Sequence, residues 1–196
     1  MGKIFYLMGK SASGKDTIYK RIREACPDLD TIVLYTTRPM REGETDGVEY
    51  HFTTEQELEK FRDDGKMIEI RTYQTVHGPW SYATVDDGSV ELKHKNYVVI
   101  GTLESYQNLR EYFGEHVVEP VYITVDDGTR LERALARERM QKNPRYEELC
   151  RRFLADQEDF SEENRKHCGI RKEYLNEDLE TCVAEILERI RNYTEF

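Results

Sequence analysis

Cysteine is scarce in this chain of 196 residues. Cys26, Cys150, Cys168 and Cys182 stand in no CxxC or other zinc spacing. That argues against a cysteine-built metal site and leaves ordinary reduced thiols, as in a cytoplasmic protein. Long apolar runs are missing as well. No stretch approaches the roughly 20 apolar residues of a membrane span, and the run inside MGKIFYLMG is too short for a secretory signal. Positive charge is in deficit, with 29 Lys and Arg against 39 Asp and Glu and a net charge of −10. A general nucleic-acid binder neutralises phosphates with Lys and Arg, so that class is disfavoured. The five histidines show no HExxH or paired spacing, although His77 lies close to a segment of interest below.

The remainder is a soluble globular composition, 38% hydrophobic and 35% charged, long enough for one domain with insertions. Ile4 to Met8 is a short apolar run that reads as a buried strand. DTIYKRIREAC follows as a helix with Ile18 and Ile22 on one face, ended by Pro27. TIVLYTT is a second strand candidate, and TTRPMREGETDGVEYHF a long polar loop. Thr54 to Phe61 reads as a helix opened by a Thr54–Glu57 capping box. KMIEIRTYQ and PWSYATV alternate as short antiparallel strands. NYVVIGT, LESYQNLREYF and VEPVYITV then read as strand, amphipathic helix and strand. A helical tract from Thr129 to Asn143 is broken at Pro144 and resumes from Glu147 to Phe160. The last helix carries Leu179, Val183, Ile186, Leu187 and Ile190 on one face. The three DDG triplets, at Asp63, Asp86 and Asp126, read as turns and helix starts. Strands alternate with helices at both ends, which predicts an α/β fold: a parallel sheet flanked by helices. A β-rich stretch interrupts it. The expected division is a core of about 1–34, 86–128 and 153–196, an inserted subdomain of about 35–85, and a helical lid of about 129–152.

MGKSASGKDT supplies the first chemistry. Gly9 and Gly14 let successive N–H groups turn inward around Ser11, Ala12 and Ser13. With the following helix N-terminus they make an anion seat, and Lys15 adds a mobile cation. The bland alternative is a glycine turn with a surface lysine, but the strand before it and the helix after it are the context a phosphate loop needs. The loop therefore predicts ATP, held by Gly9, Ser11, Ala12, Ser13, Gly14, Lys15, Asp16 and Thr17. Asp16 stands where such loops carry a Ser or Thr hydroxyl for magnesium. Its carboxylate is either an Mg²⁺ ligand, which suits that hard cation, or a residue favoured at a helix start by the dipole. The acid that many phosphate-loop enzymes place at a later strand end is absent, because YVVIGTLES ends in Gly101 and Thr102. Asp16 is the candidate to replace it.

TTRPMREGETDGVEYHF supplies the second. Arg38 and Arg41, three residues apart, with Tyr50 beyond, fit a second phosphate held by forked hydrogen bonds. The alternative is a loop whose arginines pair with Glu42 and Glu44. Thr36, Thr37, Arg38, Arg41, Gly43, Glu44, Gly47, Tyr50 and Phe52 match, in order and type, the acceptor segment of guanylate kinases. With the loop at Gly9, the sequence resembles that family strongly over its first fifty residues and fairly beyond.

The resemblance implies phosphoryl transfer from ATP, with Mg²⁺, to GMP or dGMP. Arg38, Arg41, Tyr50 and Tyr82 would hold the acceptor phosphate. Glu69 and Thr84 would meet the base, where a carboxylate suits the two donors of guanine; Glu69 could instead be a solvent-facing strand residue. ALARERM and RYEELCRRF resemble the family's lid, implying catalytic roles for Arg137, Arg139 and Arg152 beside Lys15. The alternative there is a helix laced by Glu–Arg pairs. Asn176 resembles a residue that contacts adenine, or serves as a helix N-cap. Two departures stand out: Leu34 replaces a serine that helps read guanine, and the strand-end acids are missing. Both point also to the ribose 1,5-bisphosphate kinases, a runner-up. A non-catalytic binding module is the alternative of another class. Expected partners are small-molecule nucleotides, with no nucleic acid and no membrane; monomer and homodimer both stay open.

Overall fold

A computed structural model describes residues 1–75 and 78–194; His77 lies outside them. In chain order the elements are β1 (Ile4–Met8), α1 (Lys15–Ala25), β2 (Leu29–Asp30), β3 (Tyr35–Thr36), β4 (His51–Phe52), α2 (Glu55–Asp63), β5 (Met67–Thr75) and β6 (Gly78–Val85). They continue as β7 (Asn96–Ile100), α3 (Leu103–Phe113), β8 (Val118–Thr124), α4 (Asp127–Arg139), α5 (Tyr146–Asp159), α6 (Glu162–His167), β9 (Glu173–Leu175) and α7 (Leu179–Thr194).

Two sheets result. The first is parallel, in the order β2-β7-β1-β8-β9. Its central strand β1 is buried on both faces, so its residues are apolar throughout while the pleat still divides them. Ile4, Tyr6 and Met8 pack with α3 through Leu103, Tyr106 and Leu109. Phe5 and Leu7 pack on the other face with Ile18 and Ile22 of α1 and Val183, Ile186 and Ile190 of α7. Burying one such side chain contributes about 1.5–3 kcal/mol, so this sandwich is the main stabilising element and fixes where β1 ends. The second sheet runs β4-β3-β6-β5, with β5 and β6 antiparallel over a small core of Leu58, Ala83 and Val85.

The Thr54–Glu57 capping box is present in both directions, and it starts α2 one residue after the expected Thr54. Asp126 caps α4 through the N–H of Thr129. The strand expected across TIVLYTT is largely absent. Only Tyr35 and Thr36 pair, and they do so in the second sheet. Thr31, Ile32, Val33 and Leu34 instead line a cavity, with Ile32 buried in the core of the first sheet. The helix expected to reach Asn143 stops at Arg139, where the buried Glu138 carboxylate accepts the N–H of Arg145 at 2.5 Å and turns the chain back.

Candidate active site

The loop after β1 is shaped by backbone. Ala12 and Gly14 are left-handed, at φ 62° and 91°, a geometry that gathers neighbouring N–H groups around one point. A Cβ on Gly14 would lie 2.2 Å from the Asn176 amide nitrogen, and one on Gly9 would lie 2.4 Å from the Ile123 carbonyl. Both glycines are therefore required by close approach, and Gly14 by its φ as well. Asn176 is buried, and its Nδ2 donates to the Ser13 carbonyl at 2.7 Å, bracing the loop from behind. It is not a helix cap: Asp178 accepts the Thr181 N–H ahead of α7. Gly14 caps α1 without any side-chain hydrogen bond, which leaves the first N–H groups of the helix open to an anion. Ser13 Oγ is buried with no partner among the described residues. Lys15 opens α1 and lines two cavities, of about 580 and 230 Å³.

A network that the sequence did not reveal ties this loop to the helices beyond β8. Asp156 of α5 accepts the Ser11 N–H at 2.7 Å. Arg130 of α4, 1% exposed, donates to the Ser11 carbonyl at 3.0 Å and to Asp156 at 3.0 Å, and also binds Asp127. Its guanidinium lies over the Phe153 ring at 4.8 Å. The i,i+3 spacing of Asp127 and Arg130 was the only local signal. Lys10 closes the group against Gln157 and Asp127, and burial pushes its pKa down.

Asp16 is exposed in the first turn of α1, beside Lys15 in the cavity of about 230 Å³; Thr17 is exposed next to it. Among the described residues no three His, Cys, Asp or Glu side chains gather as a ready-made metal site. One carboxylate fits Mg²⁺, which characteristically takes one or two carboxylates and completes its shell with substrate phosphates and water. At the other strand end an acid has no room: a Cβ on Gly101 would lie 2.0 Å from the Tyr6 hydroxyl. Arg137 and Arg152 reach this same cavity and face Lys15 and Asp16 across it. Arg152 also lies 3.4 Å from Glu148. Arg139 is exposed and lines neither of the cavities that hold Lys15.

The acceptor side is built of side chains. Arg38 is 4% exposed, and Glu44 grips it with a fork of 3.0 and 2.7 Å. Its guanidinium lies over the Tyr50 and Phe52 rings at 5.3 and 5.6 Å. Glu44 also accepts the Arg41 N–H at 2.7 Å, while the Arg41 side chain is exposed. The hydrogen bond to Glu44 raises the Arg38 pKa, and the same bond holds the Glu44 carboxyl below its usual range. Tyr50 meets the Tyr82 ring edge-on at 5.6 Å, and both line a cavity of about 570 Å³ together with Leu34. Burial pushes the Tyr50 phenol up.

Glu69 does not face solvent. It is 5% exposed and accepts from Thr84 at 3.0 Å, Ser105 at 2.7 Å and Arg71 at 3.3 Å. Arg71, a residue the sequence reading passed over, has its Nε 3.0 Å from the second Glu69 oxygen and lines both large cavities. Burial opposes its charge, but Glu69 outweighs that and its pKa is raised. The two large cavities share Arg71, Tyr73 and Gly101 and so adjoin.

Comparison with known proteins adds a family to this geometry. Residues 1–192 match the family described as guanylate kinase. A guanylate kinase of Salinibacter ruber is 30% identical, the alignment covering 97% of this chain and 96% of that one. One of Helicobacter hepaticus is 32% identical over 63% of this chain and 60% of its own length. One of a Mycobacterium species is 41% identical over 40% of this chain and 38% of its own length. In these last two the chain spans less than two thirds of the relative it matches. A guanylate kinase crystal structure from Anaplasma phagocytophilum shares the fold at a TM-score of 0.64 and 19% identity, covering 97% of this chain and 85% of that one. No described helix is long and apolar enough to cross a membrane. A phosphate loop braced by Asn176, a Tyr- and Arg-bearing sheet facing it, and a match over nearly the whole length place the chain in the guanylate kinase family.

Proposed function

We propose that this protein transfers the γ-phosphoryl group of ATP to GMP or dGMP, giving ADP and GDP or dGDP, in the cytoplasm and with no nucleic acid as partner. The observation that carries the reading is the joining of two cavities. One is lined by Gly9, Ser11 and Lys15, the other by Tyr50 and Tyr82, and they meet at Arg71, Tyr73 and Gly101. An acceptor phosphate in one would face an ATP γ-phosphate in the other.

Loop amides and Lys15 would hold the β- and γ-phosphates, with Gly9, Ser11, Ala12, Ser13, Gly14 and Thr17 forming the seat and Asn176 fixing its shape. Arg38, Arg41, Tyr50 and Tyr82 would orient the acceptor phosphate. One of its oxygens attacks the γ-phosphorus, the bond to the β,γ-bridging oxygen breaks, and ADP leaves. The acceptor oxygen is already ionised, so no general base is needed. Catalysis is then positioning and charge stabilisation. Arg137 and Arg152, with Arg139 nearby, would spread over the transferring group from the lid. Mg²⁺, held by Asp16 and the ATP phosphates, would supply further neutralisation. Glu69 and Thr84 form the base end of the acceptor site. Residues 35–85 would act as the acceptor unit and 129–152 as the lid, closing on the core to exclude water.

An ADP-release assay with GMP, dGMP, AMP, UMP, CMP and ribose 1,5-bisphosphate tests this. Turnover is expected with the guanine nucleotides. Turnover on the sugar bisphosphate alone would replace the reading with the sugar-phosphate kinase that Leu34 and Gly101 also suit. No ATP binding at all would favour a binding module.

A further inference from the structure

Arg71 stands where the two large cavities meet, lining both together with Tyr73 and Gly101. The strand register says which end of the acceptor site this is. On β5 and β6, Glu69 is opposite Thr84 and Arg71 is opposite Tyr82. Opposed residues share a face of the sheet. The base end, Glu69 and Thr84, and the phosphate end, Arg71 and Tyr82, therefore lie one pleat repeat apart, roughly 7 Å. An acceptor with its base at Glu69 brings its phosphate to Arg71, and the cavity beyond holds Lys15. The ion pair between Glu69 and Arg71 is incomplete. One Glu69 oxygen accepts from Thr84, Ser105 and Arg71 Nη2. The other, Oε2, is buried and accepts no hydrogen bond among the described residues. Arg71 Nε lies 3.0 Å from it, also buried and outside hydrogen-bond geometry. That contact is charge against charge with no directed bond.

We infer that Arg71 is a catalytic residue held in reserve: a guanine base taking Glu69 releases the guanidinium onto the phosphoryl group in transit between the two cavities. This rests on the proposed function and adds how base recognition is coupled to the chemical step. Glu69 keeps its place at the base end. A buried carboxylate oxygen without a donor is costly, so the N–H groups of guanine are favoured at Oε2, where they displace a contact that has no directed bond. The freed guanidinium remains charged throughout, because its pKa stays above 12. Nη1 donates to Thr102 at 3.2 Å, a neutral hydroxyl. A phosphate oxygen is the stronger acceptor there, and one N–H on each terminal nitrogen has no partner among the described residues, so a forked contact to phosphate is open to it. Arg71 forms no covalent bond and moves no proton. It spreads positive charge over the oxygens of the transferring group while the bond to the acceptor oxygen forms and the bond to the β,γ-bridging oxygen breaks. Adenine has neither the N1–H nor the 2-amino group, so with AMP the guanidinium stays on Glu69. Binding of the correct base thus completes the catalytic set.

Steady-state kinetics with GMP and AMP test this on the wild type, Arg71→Ala, Arg71→Lys and Glu69→Gln, with circular dichroism and urea unfolding to report the fold. Arg71→Ala should lower kcat for GMP by about a hundredfold, with the GMP KM within about threefold of wild type, the pattern of a contact made only in the transition state. Arg71→Lys keeps a cation and a partner for Glu69, and should recover about tenfold of that loss, since an ammonium lacks the fork. Where Arg71→Ala does not fold, because it strands a buried carboxylate, a kcat for Arg71→Lys about tenfold below wild type at unchanged KM carries the same test. Glu69→Gln lets the guanidinium go without any base, so it should raise kcat with AMP by about tenfold while raising the KM for GMP. A GMP KM raised by either Arg71 variant with kcat held would make Arg71 a ground-state grip on the acceptor and overturn the inference. So would an AMP to GMP ratio of kcat that Glu69→Gln leaves unchanged, or kinetics unaltered in both Arg71 variants; each leaves guanylate kinase activity standing. Absence of turnover by the wild type with every guanine nucleotide removes the proposed function and this inference together.

Discussion

The two regions proposed to face phosphates are made of different material. The donor seat is main chain, shaped by left-handed Ala12 and Gly14 and braced by Asn176. The acceptor seat is side chain, and its cations are already engaged: Arg38 by Glu44 and Arg71 by Glu69. A backbone seat cannot rearrange without unfolding the turn, so it presents the same donors whether or not a ligand is there. A side-chain seat can exchange one partner for another, and its internal carboxylates set what a ligand must outcompete. The first provides a fixed grip on a common group; the second provides choice.

The sharpest way to break the comparison is Lys15→Ala. It removes the lysine charge of the donor seat while leaving its amides, and should lower kcat by about a hundred- to a thousandfold with the circular dichroism spectrum unchanged. Arg38→Ala should act on the other side, raising the acceptor KM by about ten- to a hundredfold through a lost charge-assisted contact while the KM for ATP stays put. If ATP affinity fell equally, the two seats would not be separable. Gly14→Ala asks whether the donor seat is broken by adding an atom. The left-handed φ of 91° and the Asn176 amide 2.2 Å away predict a loss of roughly 1–3 kcal/mol in urea unfolding.

The smallest effect concerns pH. Glu44 has a lowered folded pKa because of Arg38. Its pairing therefore stabilises fully above the ordinary glutamate value of about 4.3, and that contribution fades as pH falls through the lower folded value. Glu44→Gln should thus shift the urea midpoint at pH 7, and the gap to wild type should narrow at a second, acid pH below the ordinary glutamate range. A constant gap at both pH values would show that Glu44 acts by shape and not by charge.

Legibility followed the same division. The donor loop was readable because everything it needs is local: a buried strand, glycines at set spacing, a helix. The parallel sheet with flanking helices was readable for a related reason, the alternation of β1, β7 and β8 with amphipathic helices. The capping box at Thr54 was readable because three residues decide it. Strand β9 and helix α6 were not, since three and six residues in a charged stretch carry no period. The surroundings of Glu69 were hidden because Ser105 comes from 36 residues away. The contact between Ser11 and Asp156 spans 145 residues. Arg38 was legible as a phosphate candidate, and its pairing with Glu44 was the alternative that the loop's composition offered; that the pair would be buried was not legible.

The Tyr6 hydroxyl beneath Gly101 sets an order on any redesign. A carboxylate cannot be returned to that strand end while the phenol fills the space, so Gly101→Asp alone would push apart the central strand and its neighbour. Shortening residue 6 alone would open a void in the middle of the sheet's packing. The two positions form a ratchet in which residue 6 must yield before residue 101 can gain an acid.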